Sequence, residues 1–216
     1  MDVQDWGLID FNDAWRRQRE LSDAILHEDA PDTLVFCEHP SVITLGRNTQ
    51  EGSVVEAMST LAGNNVEVIE INRGGEATVH NPGQLVGYPI MNLQRSKPDL
   101  HWFLRTIEQC IIDALKDFGI DSGRVDGLTG VWVGGQEKIC AIGIHCSRWV
   151  TSHGFALNVN NDLSLFNTIV PCGITDRGVT SMEKLVGGPV DLADVKRSIE
   201  SAFREHIESM TLSKGV

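Results

Sequence analysis

The 216-residue chain is short of several things at once. No stretch approaches the ~20 consecutive apolar residues that a membrane-spanning helix needs. The opening "MDVQDWGLID" carries acidic residues where a signal peptide would carry an apolar core. Five cysteines stand without CxxC spacing, which argues against a disulfide framework, and free thiols suit a reducing compartment; a cytoplasmic location is the expectation. A zinc site drawn from Cys37, His39, Cys140 and Cys146 lacks the ligand spacing of such sites, so no metal is expected. Neither a GxxxxGKS/T loop nor a GxGxxG turn occurs, which removes both common nucleotide-binding patterns and leaves no cofactor implied. Basic residues are also scarce: 18 Lys and Arg face 30 Asp and Glu, giving a net charge of -12. The longest basic run is "WRRQR" (15–19), so the chain as a whole repels nucleic acid. Internal repeats, low-complexity tracts and linkers are absent as well.

What is present fits one α/β domain over residues 1–216, with 41% hydrophobic residues and enough chain to bury a sizeable core. Residues 10–28 read as a helix capped by Asp10 or Asn12, with Trp15, Leu21, Ile25 and Leu26 facing inward. Residues 99–118 give the clearest helical periodicity. Asp99 caps it, Leu100, Phe103, Leu104, Ile107, Ile111, Leu115 and Phe118 line one side, and Gly119 stops it. A last helix begins near Asp191 and buries Leu192, Val195, Ile199 and Phe203, followed by a tail (211–216) expected to fray. Between the helices, "DTLVFCEH", "SVITLG", "VEVIEI", "QLVGYPI", "GVWV", "KICAIGI" and "HGFALNV" read as strands, the fifth and sixth joined by a "GGQE" turn. Short turns rather than crossover helices link most of them, which predicts a mixed or antiparallel sheet flanked by helices.

Three segments can carry chemistry. In "FNTIVPCGI", Cys172 sits between Pro171, which fixes its own backbone, and Gly173, which frees it. Such a thiol is either core filling or a nucleophile held at a corner. In "NRGGEATVHNPGQLVGY", Gly74 and Gly75 allow close backbone approach to a ligand, Arg73 can clamp a carbonyl or carboxylate, and His80 can relay a proton. The same block also reads as a structural turn, with Arg73 in a surface ion pair and His80 satisfied in the core. In "GGQEKICAIGIHCSRW", Lys138 opens an otherwise apolar strand; it either snorkels at an edge or turns inward, where a desolvated lysine can serve catalysis. Cys140 and Cys146 read as core filling.

Taken together, "HPSVITLGR" (39–47), "RGGEATVHNPGQLVGYPI" (73–90), "GVWV" with "KICAIGI" (130–144), "RWVTSHGFALNVNNDLSLFNTIVPCGI" (148–174) and "GVTSM" (178–182) resemble the lipoyl(octanoyl) transferase family. The match runs over about residues 35–185, in order and at comparable spacing. Two departures stand out: the family usually has an aromatic residue where Val79 stands, and often a glycine at the place of Asn81.

The resemblance implies the α/β fold shared with biotin and lipoate protein ligases. It also implies an acyltransferase that moves an octanoyl or lipoyl group from acyl carrier protein to a lysine of a lipoyl domain, in 2-oxoacid dehydrogenase complexes and the glycine cleavage H protein. Carried over residue by residue, Cys172 is the thioester nucleophile and Lys138 its partner. Arg73, Gly74, Gly75, Glu76, Ala77, Thr78, Val79, His80, Ala141, Ile142, Gly143, Gly154, Phe155 and Ala156 then line the acyl site. Backbone N–H groups near Gly173 or in the Gly74–Gly75 turn are the candidate oxyanion donors. Competing readings are an ATP-dependent lipoate or biotin ligase, which needs no cysteine, a non-catalytic acyl-binding protein, and a Cys–His hydrolase using His80 or His153.

Overall fold

The computed structural model describes residues 1–50, 52–54, 58–169 and 177–208. Among them, strands β2 (Thr33–Glu38) and β6 (Gln84–Ile90) are buried at nearly every position, which is why both read as unbroken apolar runs. They form the middle of a large sheet ordered β1–β2–β6–β10–β9–β8–β7. Its outer members are β1 (Asp2–Leu8) and β7 (Gly123–Val125), with β8 (Leu128–Val133), β9 (Glu137–Ser147) and β10 (Val150–Asn158) between β6 and β7. β1 runs parallel to β2 and the other neighbours in that order run antiparallel, so the sheet is mixed, as its short connections predict. A three-residue loop, Gly134, Gly135 and Gln136, joins β8 to β9, its turn closed by the Gln136 N–H on the Val133 carbonyl.

A second, three-stranded sheet is built from β3 (Val42–Leu45) between β4 (Glu67–Glu70) and β5 (Ala77–His80), and the short helix α2 (Met58–Gly63) precedes β4.

Helices cover the large sheet on both faces. α3 (Leu100–Lys116) and, after the short α4 (Met182–Val186), α5 (Leu192–Phe203) cover one, burying Phe103, Ile107, Ile111 and Leu115 with Val195, Ile199 and Phe203 against Phe155, Leu157 and Ile139. Asp99 caps α3 through the Trp102 N–H, and Asp191 caps α5 through that of Ala193. Leu100 departs from its expected inward position: it is 37% exposed, because it lies at the first turn, before the helix meets the sheet.

On the other face α1 (Phe11–Leu26), capped by Asp10, packs Ala14 and Ile25 against Val35, Val86, Tyr88 and Ala156. Trp15, Leu21 and Leu26 are only partly buried there, and the innermost positions include an amide, Gln18, whose Oε1 accepts the His153 N–H at 2.8 Å. The small sheet lies beside α1, with Phe11, Val42 and Ile71 joining the two. No helix among the described residues is long and apolar enough to cross a membrane.

Candidate active site

Between the two sheets lies a cavity of about 320 Å3, at the lower end of the range for small-molecule sites. Cross-strand register builds its floor. Gly143 on β9 faces Gly154 on β10, and two residues along Ala141 faces Ala156. Because the side-chain period of a strand is two, these four lie on one face and form a strip of small residues. Close backbone approach enforces part of it: a Cβ on Gly143 would stand 2.7 Å from the Gly74 carbonyl oxygen. Across the strip stand Ile71, Arg73, Ala77 and His80 of the small sheet and its approach, with Phe11 and Tyr88 beside them.

Most residues expected at an acyl site meet here: Arg73, Gly75, Glu76, Ala77, Thr78, His80, Lys138, Ala141, Ile142, Gly143, Gly154, Phe155 and Ala156 all line the cavity. Two do not. Val79 is fully buried among Ile43, Ala77 and Phe166, so its departure from an aromatic acts on the packing behind the lining residues Ala77 and Phe166 and not on the lining directly. Gly74 donates its N–H to the Ile144 carbonyl at 2.9 Å, so that group is already engaged and does not serve as an oxyanion donor. Cys172 and Gly173 lie outside the described residues; Phe166 and Val179, on either side of them in sequence, both line the cavity.

The two ends of the cavity differ in chemistry. One end is a buried histidine cluster. His80 donates from Nδ1 to Gln84 Oε1 at 2.8 Å, and the Gln84 amide donates in turn to Val79 O and Asn158 Oδ1. Arg73 spans Thr44 and Gly74, its Nη2 giving bonds of 2.8 and 2.9 Å to Thr44 O and Oγ1. It is 8% exposed, and these bonds tie β3 to the loop before β5 at the cavity wall. Burial, with His39 and Arg73 nearby, lowers the pKa of His80 to about 3. His153 takes a left-handed backbone, φ +58°, and its Nε2 donates to Asn72 Oδ1 at 2.8 Å. Burial and then Arg73 lower its pKa to about 3 as well. Behind them the Tyr88 hydroxyl donates to His39 Nε2 at 2.6 Å, and His39 Nδ1 donates to Ile9 O. Burial holds His39 below its ordinary value and Tyr88 well above its own. The three histidines are neutral at physiological pH, and the charge at this end is the Arg73 guanidinium, hydrogen-bonded to Thr44 and Gly74.

The other end is cationic. Lys138 lines the cavity, and its Nζ lies 4.8 Å from the centroid of the Trp132 ring. The Arg177 guanidinium lies 5.4 Å from the same centroid. β11 (Gly178–Val179) runs parallel to the start of β9, pairing Val179 with Lys138. The described cysteines make poor nucleophiles: burial pushes up the thiols of Cys37, Cys110 and Cys140, and also that of Cys146, which is half-buried near the β9–β10 turn and is not core filling.

Sequence reasoning missed Phe11 and Tyr88. Tyr88 is the chain's single tyrosine, in a strand buried on both faces, so no periodicity marked the side facing the cavity.

Comparison with known proteins gives a consistent picture. Residues 10–204 match the lipoyl protein ligase A/B catalytic domain. An octanoyltransferase of Cytophaga hutchinsonii is 44% identical, the match covering 97% of this chain and 95% of that protein. Another, from Gloeobacter violaceus, is 48% identical over 91% of this chain and 86% of its own. Among solved structures, a bipartite lipoate protein ligase of Thermoplasma acidophilum superposes with a TM-score of 0.72 at 17% identity, covering 95% of this chain and 82% of that one, a likeness of fold. On the profile match and on the identity to these relatives, the chain belongs to the lipoyl protein ligase A/B catalytic domain family.

Proposed function

We propose that this chain is an octanoyltransferase that moves an octanoyl group from acyl carrier protein to a lysine of a lipoyl domain, through a thioester on Cys172. The observation that carries the reading is the cavity itself: an apolar strip of alanine and glycine that runs along β9 towards a lysine. The strip suits an unbranched acyl tail, and the cationic end suits a thiolate. Family membership and the shared name of its relatives support the same activity. The acceptors in this reading are the lipoyl domains of 2-oxoacid dehydrogenase complexes and the glycine cleavage H protein, in the cytoplasm.

The chemistry closes without ATP. The Cys172 thiolate attacks the thioester carbonyl of the donor; a new C–S bond forms, the carrier's C–S bond breaks, and the carrier leaves as a thiol, taking its proton from the Lys138 ammonium. One thioester replaces another, so this half is nearly isoenergetic. The amine of the acceptor lysine then attacks the acyl-cysteine, an amide forms, and the Cys172 thiolate departs, which drives the second half downhill. Lys138 stabilises the thiolate as an ammonium, and as a neutral amine it takes the proton that the acceptor amine loses. With the Gly74 N–H engaged, the oxyanion donors in this reading come from Gly75 or from the Gly173 region.

Purified protein, octanoyl carrier protein and a lipoyl domain, mixed without nucleotide, test the reading by intact mass. The acceptor should gain one octanoyl group, and Cys172→Ser should abolish the gain. Transfer that needs free octanoate and ATP would instead make the chain a ligase, and binding without transfer would make it an acyl-binding protein.

A further inference from the structure

We propose that Trp132 is a positioning residue for Lys138, holding the lysine's charged end against the cavity by its ring face; this rests on reading Lys138 and Cys172 as the reacting pair. Three observations lead there. First, the β8–β9 ladder slips by one residue. Val131 faces Cys140, yet the next pair is Trp132 with Lys138, so Ile139 is an extra residue on β9. Without this bulge Trp132 would face Ile139, and Lys138 would lie on the other face. Bulges of this kind re-aim a side chain, and here the slip puts lysine and indole side by side.

Second, the lysine stem lies on Gly130. A Cβ there would stand 3.6 Å from both Cδ and Cε of Lys138, an ordinary contact distance, but only 2.7 Å from the Cys140 carbonyl oxygen. With φ at +120°, that carbonyl makes the position one for glycine, and the aliphatic stem packs over it. Glu108 on α3, itself buried, fixes this point by accepting the Gly130 N–H at 3.0 Å.

Third, Trp132 is 3% exposed, and its indole Nε1 finds no hydrogen-bond partner among the described residues. A buried indole N–H left in this way is a cost that a phenyl or isobutyl group would not incur. The group over the ring is Lys138 Nζ. An indole face attracts an ammonium and offers little to a neutral amine, so it favours the charged, thiolate-stabilising form. Arg177 shares the ring, and around the lysine stand Glu108 behind Gly130, Glu137 in its pair with Lys184, and the buried Cys140 thiol.

The test replaces Trp132 residue-specifically with fluorinated tryptophans, which keep shape and packing while draining the ring face, and adds Trp132→Leu and Trp132→Phe. The expected result is a stepwise fall in kcat with fluorination, reaching about tenfold for the leucine variant, with KM for the carrier thioester nearly unchanged. The alkaline limb of the pH–rate profile should move to lower pH, and Trp132→Phe should restore most of the loss. In a Lys138→Ala background, Trp132→Leu should cost nothing further. Fluorination without effect on kcat or on the alkaline limb, or additive losses in the double variant, would overturn the proposal. If Cys172→Ser retains transfer, the pairing beneath it is wrong; if Cys172→Ser is inactive and the cycle is additive, only the role of Trp132 is.

Discussion

The two ends of the cavity hold the same kinds of titratable group that enzymes use for proton transfer, yet they are built for opposite purposes. At the histidine end, His39, His80 and His153 each give a ring N–H to a carbonyl or amide oxygen inside the protein. Burial holds all three uncharged at neutral pH. At the other end Lys138 and Arg177 are brought to one ring, and a strand bulge spends a ladder position to do so. Lys138 stands six residues from Ile144, the register partner of His153, so the ends are roughly 20 Å apart along the strand. The histidines form an uncharged wall for an apolar tail, with the Arg73 charge tied to Thr44 and Gly74, while a lysine stands where a thioester would react. A Cys–His hydrolase asks for an imidazole that titrates near neutrality, and these do not.

The largest effect that sharpens this contrast is expected at Lys138. Lys138→Ala should lower kcat by about 10²- to 10⁴-fold, the usual range for a lost acid–base group, and should slow alkylation of Cys172 at neutral pH. Lys138→Arg should recover much of the alkylation rate but little turnover, because a guanidinium does not take up the acceptor's proton. An unchanged alkylation profile in Lys138→Ala would mean that the two side chains do not communicate.

Next in size is a stability effect at the histidine end. His80 and His153 have folded-state pKa values of about 3 against ~6.5 when unfolded, so between those values the unfolded chain binds protons that the folded chain excludes. Their contribution is fully present above pH 6.5 and is lost as pH falls towards 3. By pH 5 each should cost roughly 2 kcal/mol. Denaturant titrations at pH 7 and pH 5 should show this loss, and His80→Gln should remove its share of it. The same variant should leave the pH–rate profile of transfer where it was; a displaced limb would put His80 into the chemistry.

The smallest effect concerns encounter with an acidic carrier. Arg73 belongs to the interior, which leaves Arg47, Arg148 and Arg177 as the basic residues of the family-like segments available to a partner. Arg148 is well exposed and only loosely paired, 3.7 Å from Asp23. In a field of net charge -12, moderate salt should raise kcat/KM by damping repulsion, and high salt should lower it once the screening length falls well below ~8–10 Å. Arg148→Glu should cost a few-fold more than Arg16→Glu, whose side chain is tied to Asp13 and Glu20 on the helix surface. A rate that falls steadily from the lowest salt would show that local attraction governs encounter.

Elements whose apolar pattern is local were legible in the sequence. α3 announces itself by its periodicity and its Asp99 cap, and β6 by its unbroken run. β1 was not legible: an acidic, half-exposed edge strand with no apolar alternation, it exists because β2 offers it a parallel partner. β5 hides in a glycine-rich block for a similar reason, being four residues long and paired to β3 from 36 residues away. The small-residue strip was legible as composition, whereas its alignment across two strands is a matter of register. Buried polar positions such as Gln18 and Glu108 could not be read, since groups that justify burying them lie far off in sequence, at His153 for the first and at Arg124 and Gly130 for the second. The expectation at Cys172 and that for the tail at 211–216 both fall outside the described residues.

The central claim, that acyl chemistry belongs to the cationic end and runs through Cys172, is tested most directly by trapping the first half-reaction. Wild-type protein is mixed with octanoyl carrier protein in the absence of acceptor, quenched in acid, digested and mapped by peptide mass spectrometry. The account predicts one hydroxylamine-sensitive octanoyl group on the peptide bearing Cys172, persisting when Cys37, Cys110, Cys140 and Cys146 are each replaced by alanine. An octanoyl group mapped to any other cysteine, or to His80 or His153, would contradict it.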